Sequence, residues 1–72
     1  MITILRNKDI SDKLVFEAKD DGAPVGAITC TTDGETLFVE TLETPYIMLV
    51  DGLMRTAMNY ALLHIHIKYI IK

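Results

Sequence analysis

Few side chains in this chain are suited to chemistry, and they fall into small groups. Glu40 and Glu43 lie near the end of an alternating apolar run. A carboxylate there can take a proton from an amine through water if burial raises its pKa. Glu40 also alternates with Val39 and Thr41, as the wet face of a strand would. His64 and His66 form His-x-His, which on an extended segment puts both imidazoles on one face. Zinc needs a third and usually a fourth ligand, and no cysteine or acid lies near in sequence, so no metal is expected. Cys30 is alone, so it has no intrachain disulfide partner, and no base is paired with it. Tyr46 and Tyr60 can close a pocket. Met48, Met54 and Met58 suit core filling better than cofactor binding.

The element that must position these groups is a helix over Thr44 to His64, the only segment with a sustained helical period. Val50, Leu53, Met54, Ala57, Met58, Ala61, Leu62 and Ile65 recur at steps of three and four and form its apolar stripe. Asp51, Arg55, Thr56 and Asn59 fall off that stripe. Thr44 is suited to the N-cap and Pro45 to the first helical position. Asp51 and Arg55 stand four apart, acid first, in the favourable order.

Everything before the helix reads as strands. Met1 to Leu5 is short and β-branched, and Asn7 to Lys13 is polar, a loop or a single helical turn. Leu14 to Lys19 alternates, with Leu14, Phe16 and Ala18 on one face and Val15, Glu17 and Lys19 on the other. Asp21-Gly22 and Asp33-Gly34 carry the turn chemistry of tight hairpins, so one or both glycines should have positive φ. Pro24 marks the edge of the strand Val25 to Thr32. Leu37 to Leu42 is the strand after it. Beyond the helix, His64 to Lys72 alternates again, with Ile65, Ile67, Tyr69 and Ile71 on one side. The pattern predicts an α+β domain, one unit over residues 1–72. An antiparallel β-meander is followed by one long helix and a final strand, β-β-β-β-α-β. That last strand should lie parallel to the one before the helix.

Composition narrows the classes. A chain of 72 residues buries only about 60% of its unfolded surface, so its core is small. Half of its residues are hydrophobic, which calls for a dense core or for a second subunit over an apolar face. The net charge of −3 offers no basic patch for a nucleic acid. Asp51, Arg55, His64, His66 and Lys68 interrupt the apolar C-terminal run, so no membrane span is expected. A cytoplasmic setting follows from the lone cysteine and the lack of a signal-like N-terminus.

A meander, then a strand-to-helix step, then a short strand resembles the central part of the GNAT superfamily of N-acetyltransferases. Val25-Gly26 after an Asp-Gly turn resembles that family's VG at the start of its third strand. Gly52-Leu53-Met54-Arg55, followed by Thr56 to Ala61, resembles the GxGRALLxxA that opens its cofactor-binding helix. The resemblance covers roughly Lys13 to Lys72. The family pattern is Q/R-x-x-G-x-G/A; Gly52 matches it, whereas Leu49 and Met54 depart from it.

The resemblance implies acetyl-coenzyme A or coenzyme A as cofactor, its pyrophosphate held by backbone N–H groups at the helix start. It points to Glu43, Thr44, Gly52, Leu53, Met54 and Arg55 as cofactor contacts and to Glu40 as the general base. Met54 in place of a small residue would crowd the phosphate. A helix beginning at Pro45 would leave Gly52 inside it, with a packing role. Two readings follow: an acyl-coenzyme-A-related domain with weak or no independent catalysis, or a non-enzymatic dimerisation or interaction domain that keeps the fold. A homodimer is expected, because the final strand leaves an open edge.

Overall fold

Two hairpin turns set the sheet. A computed structural model describes residues 1–10 and 12–71; Ser11, in the expected loop, and Lys72, at the end of the expected last strand, lie outside the described residues. Strand β2 (Leu14–Asp20) turns into β3 (Ala23–Asp33) through Asp21 and Gly22, with φ of 50° and 90°. Positive φ at both central residues is the type I′ pattern, whose twist matches that of the flanking strands. Between β3 and β4 (Thr36–Glu43), Asp33 pairs with Thr36, so Gly34 and Glu35 form the turn. Only Gly34 has positive φ there, at 60°. Both glycines thus have the expected sign, but the second occupies the first central position instead of the second.

Strand β1 (Ile2–Arg6) pairs antiparallel with β2, and helix α1 (Ile47–His64) leads from β4 to the short β5 (Tyr69–Ile71). The sheet order is β1-β2-β3-β4-β5, antiparallel except that β5 runs parallel to β4. This is the expected α+β arrangement. Two bulges interrupt the ladders. Val25 is the extra residue between the Ala18–Gly26 and Lys19–Pro24 pairs. Glu40 is the extra residue between the Thr29–Thr41 and Cys30–Val39 pairs.

The helix covers one face of the sheet. Leu14, Phe16, Ala18, Ile28, Cys30 and Leu37 meet Leu49, Leu53, Met54, Ala57 and Ala61 in one core. Burial of these side chains is the main stabilising term, about 25 cal/mol per Å² of apolar surface. The small side chains of Ala57 and Ala61, 1% and 0% exposed, let the helix axis approach the strands. The stripe differs from its sequence expectation at two positions. Leu62 is 50% exposed, because it lies one residue on from Ala61 and is turned about 100° around the axis. Val50 is also exposed, in the first turn, and Leu49 is buried in its place.

Both helix ends correct the sequence reading. Tyr46, not Thr44, is the N-cap, and its side chain makes no cap hydrogen bond. Thr44 is drawn off to bind the β3 backbone, as set out below. At the other end the helix runs through His64, so the expected strand shrinks to three residues. The Ile65 N–H donates to the Ala61 carbonyl, and His66 turns the chain with φ 60°. The N–H groups of Lys68 and Tyr69 both donate to the Glu35 carbonyl, at 2.7 and 3.0 Å. That anchor resets the alternation: Ile67 and Ile70 pack on the core, while Tyr69 and Ile71 face outward.

Gly52 lies in the second turn of α1, and a Cβ there would meet only Ile4 Cδ1, at 3.6 Å. That is ordinary contact, so close packing does not require glycine. Gly52→Ala should stabilise the fold by about 0.5–1 kcal/mol through helix propensity. A rise of several degrees in Tm by calorimetry is the expected outcome; a fall would mean that Ile4 cannot accommodate the methyl.

Candidate functional site

The site is built where β4 hands over to α1. The Thr44 hydroxyl donates to the Val25 carbonyl at 2.8 Å and accepts the Tyr46 N–H at 3.2 Å. The first bond ties the end of β4 to the β3 bulge; the second folds Thr44-Pro45-Tyr46 into a tight entry to the helix. Gly26 makes this closure possible. A Cβ on it would stand 2.8 Å from Thr44 Cβ and 3.1 Å from the Glu43 carbonyl oxygen. An isolated glycine inside a strand often marks such a close backbone approach. Pro24–Gly26 and Glu43–Tyr46 then form the two walls of an open cleft of about 380 Å³.

The helix start beside this cleft is electrostatically uncovered. Its first turn holds no acid, and the cap residue is extended, with φ −107° and ψ 112°. The Leu49 N–H turns back to the Tyr46 carbonyl at 3.0 Å. Ile47 and Met48 are among the first residues of the helix, whose N–H groups have no intrahelical acceptor, at the positive end of the dipole. Of the acids close in sequence, Asp51 pairs with Arg55 at 2.9 Å and Glu40 with Lys13 at 2.8 Å. Glu43 is exposed at the cleft.

The other edge of β4 is partly open. β5 pairs with Thr36, Leu37 and Phe38, and no ladder covers that edge from Val39 to Glu43 among the described residues. Glu40 lies on this stretch as the bulged residue, exposed and held by Lys13. The Lys13 ammonium is raised above the usual lysine range by that hydrogen bond.

Of the six residues that the resemblance suggested as cofactor contacts, the structure brings Glu43 and Thr44 to the cleft. The other four lie further along α1. The Gly52 carbonyl accepts the Thr56 hydroxyl at 2.8 Å. Leu53 and Met54 are core residues, 0% and 8% exposed, so Met54 does not crowd the helix start. Arg55 is exposed beside Asp51. Tyr46 borders the cleft, whereas Tyr60 lies in the far half of the helix, edge-on to Phe16 with ring centroids 5.6 Å apart. His64 ends the helix with its ring 4.6 Å from that of Tyr60, and His66 is an exposed turn residue, so His-x-His does not share a strand face. No cluster of three or more possible metal ligands occurs among the described residues. Pro24 and Val25 are the wall residues that sequence reasoning missed. The signal was Gly26 itself, a glycine inside a strand two residues after a proline.

No family model and no curated protein matches the sequence. Among solved structures, a GNAT-family acetyltransferase from Streptococcus pneumoniae TIGR4 is similar. The TM-score is 0.77 at 21% identity, over all of this chain and 75% of that one. The fold is therefore GNAT-like: meander, helix, and a parallel last strand.

Gly26→Ala should cost about 1–3 kcal/mol, because Thr44 Cβ and backbone stand in the way of the methyl. Urea unfolding should show it, with Thr44→Gly lessening the penalty in the double variant; equal midpoints for wild type and Gly26→Ala would remove the argument.

Cys30 is wholly buried, and burial first, then Glu40, pushes its thiol up to about 11. The neutral thiol is thus favoured by folding. Its contribution is intact below the unfolded thiol pKa, near 9, and is lost as pH rises towards about 11. That amounts to about 2–3 kcal/mol. Stability measured across this alkaline window should fall less steeply in Cys30→Ala than in wild type.

Proposed function

We propose that this chain is an acyl-coenzyme-A-binding, N-acetyltransferase-like domain with little catalysis of its own. The observation that carries the reading is the uncapped, acid-free start of α1 beside a cleft walled by Gly26 and Thr44. Free N–H groups at a helix start are suited to a phosphate, and Gly26 lets Glu43 and Thr44 close onto β3 and bring that start beside the cleft. The GNAT-like fold supports the same reading. Acyl-coenzyme A, when bound, would supply its acyl group as a thioester. The residues assigned to hold it are Glu43 to Met48, through backbone groups, in place of Gly52 to Arg55.

Affinity should be low. A helix start attracts an anion by about 0.3–1 kcal/mol in exposed settings. Among the described residues no lysine or arginine lines the cleft, and Glu43 opposes the phosphates. Independent acyl transfer is assigned a minor place, because Glu40, the candidate base, is engaged by Lys13.

The second reading is a non-enzymatic dimerisation or interaction domain. It rests on Ile47 and Met48, 89% and 79% exposed at the helix start, and on the outward-facing Tyr69 and Ile71 of the outer strand.

Titration of labelled protein with acetyl-coenzyme A separates the two. Amide shifts confined to Glu43 through Val50, with a dissociation constant of about 1 mM, are expected. Saturation at micromolar ligand would move the reading towards an active enzyme. Flat shifts in this stretch would leave the interaction domain.

A further inference from the structure

Strand β1 is the outermost strand of the sheet on the side away from β5. The bonds at the two ends of its ladder fix which backbone groups lie on its open side. The Asp21 N–H donates to the Met1 carbonyl, and the Asn7 N–H donates to the Val15 carbonyl. Met1 and Asn7 thus turn their backbone groups towards β2, and by alternation so do Thr3 and Leu5. The N–H and C=O groups of Ile2, Ile4 and Arg6 point the other way, and they have no backbone partner among the described residues. Edge strands are commonly blunted by a proline, a bulge, an outward charge or short length. The open stretch of β4 carries the bulged Glu40, and β5 is three residues long. β1, with five residues in even register, has no such device. Its one charged side chain is drawn away towards the helix, where Arg6 Nη1 donates to the Tyr60 hydroxyl. Ile2 and Leu5 are 45% and 67% exposed along it.

We propose that this edge pairs with the β1 edge of a second copy of the chain, antiparallel about a two-fold axis at Ile4. The outward groups are self-complementary in that arrangement. With Ile4 opposite Ile4 of the second copy, Ile2 lies opposite its Arg6, and each outward N–H meets an outward carbonyl. A slip of one residue would set outward groups against inward ones, and a slip of two would lose a pair within the strand. On the face away from the helix, Thr3 comes opposite Leu5 of the second copy, and the two Leu5 side chains become diagonal neighbours. Charge selects the same orientation. Antiparallel pairing keeps the two Arg6 residues at opposite ends, whereas parallel pairing would set them side by side. It also brings the exposed Asp21, which shares the Met1 ammonium with Asp20, towards Lys8 of the second copy. Lys8 forms no ion pair within the chain among the described residues. Five residues a side make a small interface, so the association is weak and reversible. It moves the expected homodimer from the last strand to the first. The edge lies across the sheet from the cleft at β3 and β4, so the inference does not rest on the acyl-coenzyme A reading.

Sedimentation equilibrium from micromolar to millimolar chain should show a reversible passage from 8.1 kDa to twice that mass. Over the same range, hydrogen exchange at the Ile4 and Arg6 amides should slow with concentration, while the Thr3 and Leu5 amides, bonded within the chain, change little. In a sample mixed from labelled and unlabelled chains, a nuclear Overhauser contact between Thr3 Hα and Leu5 Hα of different copies fixes the register. Ile2→Pro removes one outward donor from each copy and none that faces β2. It should weaken association by about tenfold or more, the worth of two hydrogen bonds. Leu5→Lys, at an exposed position, sets like charges as diagonal neighbours and should weaken association several-fold in a folded chain, which serves if Ile2→Pro does not fold. Three results would each overturn the proposal: an 8.1-kDa species at every concentration, association that leaves Ile4 and Arg6 exchange unchanged, or equal association in wild type and both variants. Protection that grows instead at β5 or at the start of α1 would place the contact there and overturn it too.

Discussion

The hydroxyl of Thr44 holding the carbonyl of Val25 is the contact on which the upper end of this domain depends. One side chain fixes where β4 stops, how the chain enters the helix and how near β3 stands. It can act only because position 26 has no side chain and position 25 bulges out of the ladder. A neutral hydrogen bond of this kind contributes about 1 kcal/mol. Its geometric effect is larger than that figure suggests, since the helix is aimed from this point onto its core.

Much of this was legible in the residues. Asp21-Gly22 and Asp33-Gly34 specified two reversals, and the alternation of Leu14, Phe16 and Ala18 specified the buried face. The ends of the helix were harder to read. Thr44 has the chemistry of an N-cap, but donation to a carbonyl nineteen residues away fixes its side chain so that it accepts the Tyr46 N–H, ahead of the helix. No local rule weighs so distant a bond. In the same way Ile65, Ile67, Tyr69 and Ile71 alternate well, yet two N–H groups captured by Glu35 reverse the phase part-way. The apolar stripe placed Leu53, Met54, Ala57 and Ala61 correctly because their spacing is intrinsic to the helix. Val50 and Leu62 depart because helix period does not tell where a sheet ends beneath it.

The candidate site was half legible for the same reason. Glu43 and Thr44 follow directly from the end of β4, a boundary that strand alternation defines. Assigning Gly52 to Arg55 followed the resemblance, in whose pattern the glycine opens the helix; here the helix starts five residues earlier, at Ile47, and Gly52 lies inside it. The second wall of the cleft comes from Pro24 to Gly26, which meet Thr44 only through sheet pairing. A contact nineteen residues apart leaves no periodic trace. Glu40 shows the converse: its position on β4 was clear, while its engagement by Lys13 from the loop before β2 was not.

The strand order, β1 to β5 in unbroken sequence, bears on how the chain reaches this state. Three of the four ladders join consecutive strands without a crossover, so each can close soon after its turn forms. Loop-closure entropy is then small for most of the sheet. Only the β4–β5 pair has to wait for the helix to dock across the face. Pairing of neighbours in sequence is reached sooner than pairing across a long connection, which places the meander first and the outer parallel strand last. The same order means that β5, with three paired residues, is the strand whose opening disturbs the fewest others. Local opening at this edge can therefore precede global unfolding, leaving the meander and its hairpin turns in place.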